Sequence, residues 1–198
     1  MKKLILVLAS LVGFASVSLG FETHGDITLS KIKEYKSFFT KNTCDQVLTD
    51  TFTICYSHER KSATAVYVEV TGDTVEKDID KRPPFFTDKR VKKEFRTTSK
   101  DYTNTGYDRG HFGASDASHD WDKKHQKATY SMANIVPQTP FANRYKFIAL
   151  EKHEREMAVK YGRLENLTIA YWNKRPKKIG KSELHVPSAF AKIFTDEP

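Results

Sequence analysis

A histidine, an asparagine and a glutamate in one stretch of the chain have types and spacing that suit hydrolysis of a phosphodiester. His111 closes the run Asp-Arg-Gly-His at residues 108–111, and Glu151 lies eight residues after Asn143. Such hydrolysis needs a base that takes a proton from water and a cation that neutralises the phosphate oxygens. It also needs a rigid donor that holds the phosphate as charge builds. A neutral histidine supplies the base at ordinary pH.

Magnesium suits the role of the cation because it keeps most of its waters and takes few protein ligands. Asn143 offers a neutral oxygen ligand for such a site. Arg109, next but one to His111, can hold a phosphate through two parallel N–H donors. Gly110, between them, lets the backbone pass close to a ligand or a neighbouring side chain. These residues predict a magnesium site beside a histidine base.

The clearest predicted element is a helix over residues 140–161, which carries two of these candidates. Thr139 is a favoured N-cap, a proline follows it in the first turn, and Gly162 stands where a left-handed helix-ending residue belongs. At about 100° per residue, Asn143 and Glu151 project from roughly the same side of this helix.

Runs of β-branched and aromatic residues predict strands on both sides of this helix. The predicted strands lie at residues 53–56, 65–70, 107–114, 130–136, 167–172 and 182–194. Asn134 falls on the fourth of them. Residues 45–50 indicate a short loop or helical turn, residues 77–96 a long loop, and residues 115–127 a partly helical segment. Strands on both sides of one long helix predict an α+β fold.

The N-terminus has the order of a secretory signal over residues 1–20: a basic start, an apolar run and small residues. The apolar run at residues 4–17 is shorter than a membrane span of about 20 residues. We expect cleavage after Gly20, with cleavage after Ser18 as the alternative, and an uncleaved N-terminal anchor stays open. The prediction is therefore a periplasmic or secreted protein in which residues 21–198 form one domain.

Export also affects the interpretation of the chain's two cysteines, Cys44 and Cys55. In an oxidising compartment, such a pair more often forms a bridge than a redox site. Two buried free thiols are the alternative. The sequence therefore predicts a Cys44–Cys55 disulfide.

The composition is that of a folded, basic protein. The chain carries 33 Lys and Arg against 25 Asp and Glu, and its 13 Phe and 9 Tyr are enough to fill a core. Polytopic membrane proteins, collagens and disulfide knots are excluded on this composition. Basic clusters lie at residues 89–93, 123–124 and 174–178. Such clusters often serve solubility alone, but beside a phosphodiesterase site they are expected to follow a phosphate backbone.

A second group of polar residues has types that suit zinc or calcium: His119, Asp120, Asp122 and His125. Their spacing fits neither the HExxH zinc motif nor an EF-hand loop. We therefore interpret them as part of a solvated, partly helical surface.

The motifs around the candidate site resemble those of the DNA/RNA non-specific endonuclease family. Residues 106–111 look like the family's DRGH motif, and Asn134, Asn143 and Glu151 resemble its further landmarks in order and spacing. The resemblance covers roughly residues 65–194. It implies a mixed or antiparallel sheet core with a ββα-metal finger and one long catalytic helix.

The resemblance also implies a role for each matching residue. His111 resembles the general base and Asn143 the single direct metal ligand. Glu151 resembles the acidic residue that holds water on the metal and assists the leaving group; the alternative is an ion pair with a basic residue one turn later. Arg109 resembles the phosphate-contacting arginine, and Asn134 a residue that holds the finger together.

Two further residues have less defined roles. Arg82 resembles the family's upstream arginine, which contacts phosphate in the transition state, and Arg90 or Arg96 are alternatives for it. Asp108 belongs to the DRGH run. It either pairs with a nearby cation and orients it, or only shapes the strand.

The resemblance implies a magnesium-dependent, sugar-non-specific endonuclease that cleaves DNA and RNA through water activated by His111, with manganese as a substitute metal. An alternative is an exported protein that captures DNA without cutting it, which would need the basic surface but neither His111 nor Asn143. A third is a phosphoesterase for small nucleotides, which would need a closed pocket. A homodimer and an inhibitor protein are left open, and no membrane partner is expected after signal cleavage.

Overall fold

The computed structural model describes residues 4–10, 39, 44–75, 77, 79, 81–119 and 121–195. The strands are β1 (Leu4–Ser10), β2 (Gln46–Thr49), β3 (Thr53–Ser57), β4 (Ser62–Thr71), β5 (Asp108–His111), β6 (Ile135–Gln138), β7 (Arg163–Tyr171), β8 (Lys178–Ile179), β9 (Leu184–His185) and β10 (Ala189–Thr195). The α-helices are α1 (Asp116–His119), α2 (Lys123–Thr129) and α3 (Ile148–Tyr161), and a π-helical segment, Ala142–Phe147, leads directly into α3.

Six strands form one sheet in the order β1-β10-β7-β4-β3-β2. Every neighbouring pair in it is antiparallel. The pairs β5–β6 and β8–β9 are separate two-stranded ribbons. The predicted α+β fold with an antiparallel sheet core is confirmed.

One predicted loop at the edge of this sheet is a strand instead. Residues 46–49 form β2, in which Val47 lies opposite Cys55 of β3. The backbone N–H of Asp50 donates to the carbonyl of Phe52 in the tight turn between the two strands. Backbone pairing with β3 across this short turn makes the segment a strand, although its own residues only weakly favour any one secondary structure. The predicted bridge is present, with the Cα atoms of Cys44 and Cys55 5.1 Å apart.

The ββα unit that the sequence implies is formed by β5, β6 and the helix that follows. His111 pairs with Ile135 and Asp108 with Gln138 across the antiparallel ribbon. Helices α1 and α2 lie in the connection between its strands. A Cβ on Gly110 would come within 2.2 Å of the Gln138 side chain, so this strand position accepts only glycine without rearrangement.

The long helix has the predicted ends. Thr139 Oγ1 accepts a hydrogen bond from the backbone N–H of Ala142, 3.2 Å away, as an N-cap does. Gly162 ends the helix at φ 79°, a conformation that strongly favours glycine. The first turns are π-helical, which the sequence did not predict.

Asn134 is not on a strand, as the sequence predicted, but ends a 3-10 turn, Met132–Asn134, just before β6. The Ser131 hydroxyl caps this turn by accepting from the N–H of Ala133. The turn places the Asn134 amide in the protein interior, where it holds two backbone segments; an extended strand would direct side chains alternately to opposite faces.

The main core packs the ββα unit against one face of the sheet. Phe112, which follows β5, and Phe147, which precedes α3, both contact Phe190 of β10, with ring centroids 5.7 Å and 5.2 Å apart. All three side chains are almost fully buried. Fully burying a side chain of this size contributes about 1.5–3 kcal/mol. These contacts anchor the ββα unit, and with it the candidate site, on the sheet.

Only residues 4–10 of the predicted signal are described, and they form β1, paired with β10. The expected cleavage site at Gly20 lies outside the described residues, so signal and cleavage remain predictions. Among the described residues, no helix has both the length and the apolar character to cross a membrane.

Candidate active site

A cavity of about 330 Å³ lies where β5, the long helix and the loop before β5 meet. Its lining residues are Arg82, Phe85, Arg109, His111, Asp116, Tyr130, Asn143, Arg144, Ile148 and Glu151. Five of the seven candidates from the sequence are therefore brought together. A second cavity adjoins it, with Asp108 in its wall and with Phe85, Arg109 and Asn143 shared. Asn134 lies behind the site, fully buried.

Asp108 fixes the orientation of the Asn143 side chain. The Asn143 Nδ2 atom donates to Asp108 Oδ2 over 3.1 Å, and Arg144 donates to both oxygens of the same carboxylate at 2.8 and 2.9 Å. The hydrogen bonds from Arg144, with that from Asn143, hold the pKa of Asp108 below its usual value. An ionised carboxylate only accepts, so the amide must turn its nitrogen towards Asp108. Its oxygen is then left for another partner in the cavity.

His111 sits between two aromatic rings at the cavity wall. Its ring lies 5.0 Å from that of Tyr130 and 6.0 Å from that of Phe85, between centroids. Burial, with the positive charge of Arg82, lowers the pKa of His111 to about 3. Its Nε2 atom has no hydrogen-bond partner among the described residues. The ring is therefore neutral at pH 7 and able to accept a proton, and a bound anionic phosphate would raise its basicity.

Glu151 faces the same cavity from the first turn of α3. Burial raises the pKa of Glu151 to about 7, against the opposing charge of Lys192. A bound divalent cation would favour the carboxylate and lower that pKa again. Glu151 and Asn143 do share a side of the helix, as the sequence predicted, because both line the cavity.

The structure separates the three candidates for the second arginine. Arg82 lines the cavity, and its Nε lies 3.0 Å from Asp116 Oδ2. Arg90 is held by Asp88 at 2.7 Å. Arg96 donates to backbone carbonyls in its own loop. Only Arg82 of the three reaches the site. Sequence reasoning missed Asp116, since nothing in its local pattern shows that it pairs with a residue so far upstream.

Arg109 lies at the mouth of the cavity rather than inside it. One of its terminal nitrogens donates to Ser99 Oγ over 3.0 Å, and its guanidinium stacks over Phe85 at 5.0 Å from the ring centroid. The side chain is exposed. These contacts hold the guanidinium at the rim while leaving N–H donors for a phosphate.

Asn134 ties together the backbone that follows the histidine. Its Oδ1 accepts from the N–H groups of Gly113 and Ala114, and its Nδ2 donates to the carbonyls of Ala114 and Thr129. All four bonds are buried. This arrangement agrees with the supporting role that the sequence resemblance implies for Asn134.

A buried polar network missed by sequence reasoning supports the same backbone. Glu154 of α3 accepts hydrogen bonds from Ser118 and Asn166, and it is fully buried. Asn166 and Lys192 both donate to the carbonyl of Gly113, each over 3.4 Å. The sequence signal was present: Glu154 occupies a position between Leu150 and Met157 on the helix face that would otherwise be apolar.

The polar residues whose types suit zinc or calcium have other partners. His119 is not on a solvated surface, as the sequence predicted, but is buried, with its Nδ1 3.0 Å from the carbonyl of Ser115. Asp122 caps α2 and contacts the ring of His125 at 2.7 Å. Asp120 lies outside the described residues. In the part of the chain that the structure describes, no three His, Cys, Asp or Glu residues are grouped to hold a metal.

A magnesium ion fits the donors in the cavity. The Asn143 amide presents an oxygen because Asp108 holds its nitrogen, and a neutral oxygen ligand of this kind suits a cation that keeps most of its waters. Glu151 adds an acidic group on the same wall. A closed site with four protein ligands, as structural zinc requires, does not match this set.

Comparison with known proteins adds to this geometry. The family model described as DNA/RNA non-specific endonuclease matches residues 33–197. Mitochondrial endonuclease G from Homo sapiens is 28% identical over 156 residues, covering 73% of this chain and 52% of the human protein. Endonuclease G from Bos taurus is 27% identical over 154 residues, covering 72% of this chain and 51% of the bovine one. The chain thus spans about half the length of these two relatives.

Two further matches are a relative that aligns over a shorter stretch and a solved structure. A protein named nuclease from Nostoc sp. is 37% identical over 98 residues, covering 50% of this chain and 35% of its own. A crystal structure of the EndoG/EndoGI complex superposes with a TM-score of 0.69 at 23% identity, covering 85% of this chain and 74% of that one. At this identity the structural match establishes the fold alone.

Proposed function

Because the chain belongs to the DNA/RNA non-specific endonuclease family, we propose that it is a magnesium-dependent endonuclease that hydrolyses internal phosphodiester bonds of DNA and RNA. One observation carries the proposal: a single cavity is lined by a neutral histidine, an amide whose oxygen Asp108 leaves open, the Glu151 carboxyl group, and the guanidinium groups of Arg82 and Arg109. Water-activating, metal-binding and phosphate-binding groups are thus within reach of one bound phosphate.

The side chains divide the reaction between them. His111 takes the proton from the water whose oxygen forms the new bond to phosphorus. The bond from phosphorus to the 3′ oxygen breaks, which leaves a 5′-phosphate and a 3′-hydroxyl. The Glu151 carboxylate would hold a water that donates the proton the departing 3′ oxygen needs to become a hydroxyl. Arg82 and Arg109 bind the phosphate oxygens from the two sides of the cavity as their charge increases.

Asp108 and Asn143 act together to place the cation. Asp108 holds the amide so that its oxygen faces away from the carboxylate. Magnesium bound at Asn143 would supply the positive charge that neutralises the phosphate and the departing oxygen. Arg144 neutralises Asp108 through two short hydrogen bonds, so that the carboxylate orients the amide and does not itself repel the substrate.

We further propose that the protein acts outside the cytoplasm, in the periplasm or the medium. The order of residues 1–20 and the Cys44–Cys55 bridge support this location. N-terminal sequencing of protein recovered from the periplasm or the medium tests it. A mature N-terminus at Phe21 is expected, and a chain that stays in the cytoplasm with Met1 intact would contradict the proposal.

The nuclease activity is tested on closed circular plasmid DNA and on a long RNA. Purified protein with magnesium should nick and then degrade both, and excess EDTA should stop it. His111→Ala protein from the same preparation is the matched control for contaminating nucleases. If the wild type binds the plasmid but leaves it intact at every magnesium concentration, the alternative of DNA capture without cleavage replaces this proposal.

A further inference from the structure

An exposed apolar strip lies beside the candidate active site, and the mechanism proposed above does not use it. The three most exposed large hydrophobic side chains of the described residues are Phe141, Tyr145 and Ile148, at 61%, 66% and 57%. All three stand within one stretch of eight residues. Exposed apolar side chains are normal when scattered singly, but a contiguous group commonly marks a binding surface.

The strip is continuous with the cavity. Its members lie four and three residues apart, from the residue before the π-helical segment to the first residue of α3, and all three side chains are exposed. The rings of Phe141 and Tyr145 are 5.6 Å apart and inclined by 35°, so they lie side by side without covering each other. Ile148 lines the cavity together with Asn143 and Glu151. The strip therefore leads from the predicted metal ligand outwards to solvent.

Cationic side chains alternate with these apolar ones. Arg144 lies beside Tyr145 in the chain and is largely exposed at the cavity mouth. Lys146 places its Nζ 5.4 Å from the centre of the Phe141 ring. Exposed aromatic rings with cations among them are the features by which proteins bind single-stranded nucleic acid: the bases stack on the rings and the phosphates lie near the cations.

We propose that Phe141, Tyr145 and Ile148 form a stacking platform for unpaired bases of the strand that enters the cavity. This proposal rests on the proposed function. A duplex keeps its bases stacked inside and offers mainly sugars and phosphates to such a surface. The platform therefore acts on single strands and on unpaired segments, and it adds little to the binding of intact duplex.

Binding to a strand without bases isolates this contribution. Each protein carries His111→Ala, so that the strand stays intact with magnesium present. The probes are a short oligothymidylate and an abasic strand of the same length and charge. The background protein, which carries His111→Ala and no other change, should bind oligothymidylate more tightly than the abasic strand. Adding Phe141→Ala and Tyr145→Ala should weaken oligothymidylate binding about fivefold to a hundredfold and leave abasic binding unchanged.

Two control variants define the effect. Tyr171→Ala removes another exposed aromatic side chain, at the end of β7, and should leave both affinities unchanged. Tyr145→Phe keeps the ring and should retain oligothymidylate binding. In active protein, Phe141→Ala with Tyr145→Ala should raise KM for single-stranded DNA and leave KM for duplex unchanged.

Three results would overturn the platform. One is equal binding of oligothymidylate and abasic strand by the background protein. Another is an equal loss of both affinities in the double variant. The third is a shift from dimer to monomer in sedimentation when the two rings are removed, which would make the strip an interface between two copies. If the wild type cuts plasmid but shows no preference for bases, the platform alone fails. If it prefers bases but never cuts, the proposed function fails and the platform stands.

Discussion

At the scale of single residues, His111 and Asn143 have separable tasks, and their alanine variants should fail in different ways. His111→Ala removes the proton acceptor and should reduce the cutting rate by roughly 10²–10⁴-fold. Its rate should recover in part at higher pH, where hydroxide is available. It should still bind DNA and magnesium, since the Asn143 amide and its Asp108 partner are unchanged.

Asn143→Ala removes the predicted direct ligand instead. Its rate should recover in part with excess magnesium or manganese, because the defect is in metal affinity. The measurement is the cutting rate against pH and against metal concentration, with folding checked by circular dichroism. Near-normal activity of His111→Ala at pH 7 would refute the mechanism.

The pH dependence should come from Glu151 and not from His111. With a pKa of about 3, His111 is already neutral across the working range. Glu151, with a pKa of about 7, is still partly protonated near neutrality, so kcat/KM should rise with pH, at a midpoint below 7 once metal is bound. Glu151→Gln should flatten this rise; an unchanged acid limb in that variant would assign the titration to another group.

The contribution of Glu151 to folding stability should fall as the pH rises, whereas kcat/KM should increase. The folded protein holds the Glu151 proton up to about pH 7, whereas an unfolded chain releases it near pH 4.5. The contribution of Glu151 to stability is therefore present at low pH and is lost as the pH rises through this window. In metal-free protein with EDTA present, Glu151→Gln should match the wild type in thermal stability at pH 4 and exceed it at pH 8, which differential scanning calorimetry can test.

At the scale of elements, we expect Asn134 to contribute directly to the stability of the fold and only indirectly to catalysis. Asn134→Ala leaves buried backbone groups of Gly113, Ala114 and Thr129 without their partner, at about 1–3 kcal/mol for each unsatisfied group. We expect a lower midpoint of urea unfolding together with reduced activity. Asn143→Ala is the matched control and should lose activity without losing comparable stability. Equal stability of both variants would contradict this assignment.

The disulfide should matter to stability and not to chemistry. It joins the segment before β2 to β3 and is buried between sheet residues, away from the cavity. Replacing Cys44 and Cys55 by serine should lower stability by roughly 2–3 kcal/mol, mainly because the unfolded chain gains freedom. The cutting rate of the folded variant should stay near that of the wild type. A large loss of rate at a temperature where the variant is still folded would show that the bridge shapes the site.

The elements that the sequence predicted well are those with strong local signals. The long helix has a capping threonine and a terminal glycine, and the strands in β3, β4 and β7 have dense β-branched and aromatic residues. β2 was missed because only its antiparallel partner makes it a strand. The π-helical segment was missed because its hydrogen bonds depend on how the helix packs and not on residue type.

The candidate site was predictable to the extent that it is contained in short motifs. His111, Asn143 and Glu151 follow from motif order and helical spacing. Asp116 was missed because its partner, Arg82, is remote in sequence. Glu154 does stand out as a charged residue on an otherwise apolar helix face, but that pattern does not identify its partner, Asn166. Tertiary pairing of this kind leaves no local pattern to read.

At the scale of the whole molecule, the excess of Lys and Arg over Asp and Glu, which remains when residues 1–20 are removed, should govern the affinity for nucleic acid. Contacts from lysine and arginine release counterions from the phosphate backbone, so log Kd should rise linearly with the logarithm of the salt concentration. Fluorescence anisotropy with His111→Ala protein and a labelled duplex measures the slope. A slope near zero would show that the basic clusters serve solubility and do not follow the substrate.

All seven candidate residues lie in the segment that connects β4 to β7, which are neighbours in the sheet. The two ends of this connecting segment meet where the N–H of Gly72 donates to the carbonyl of Gly162, 2.9 Å away. A chain divided near Lys77 would therefore give two fragments that pair along β4 and β7. The second fragment would hold every candidate side chain but lack β3 and β4, whose Ile54 and Val66 belong to the same core cluster as Phe112. The protein should therefore be suited to a fragment-complementation assay. Neither fragment alone should cut nucleic acid, and activity should appear only when the two fragments associate.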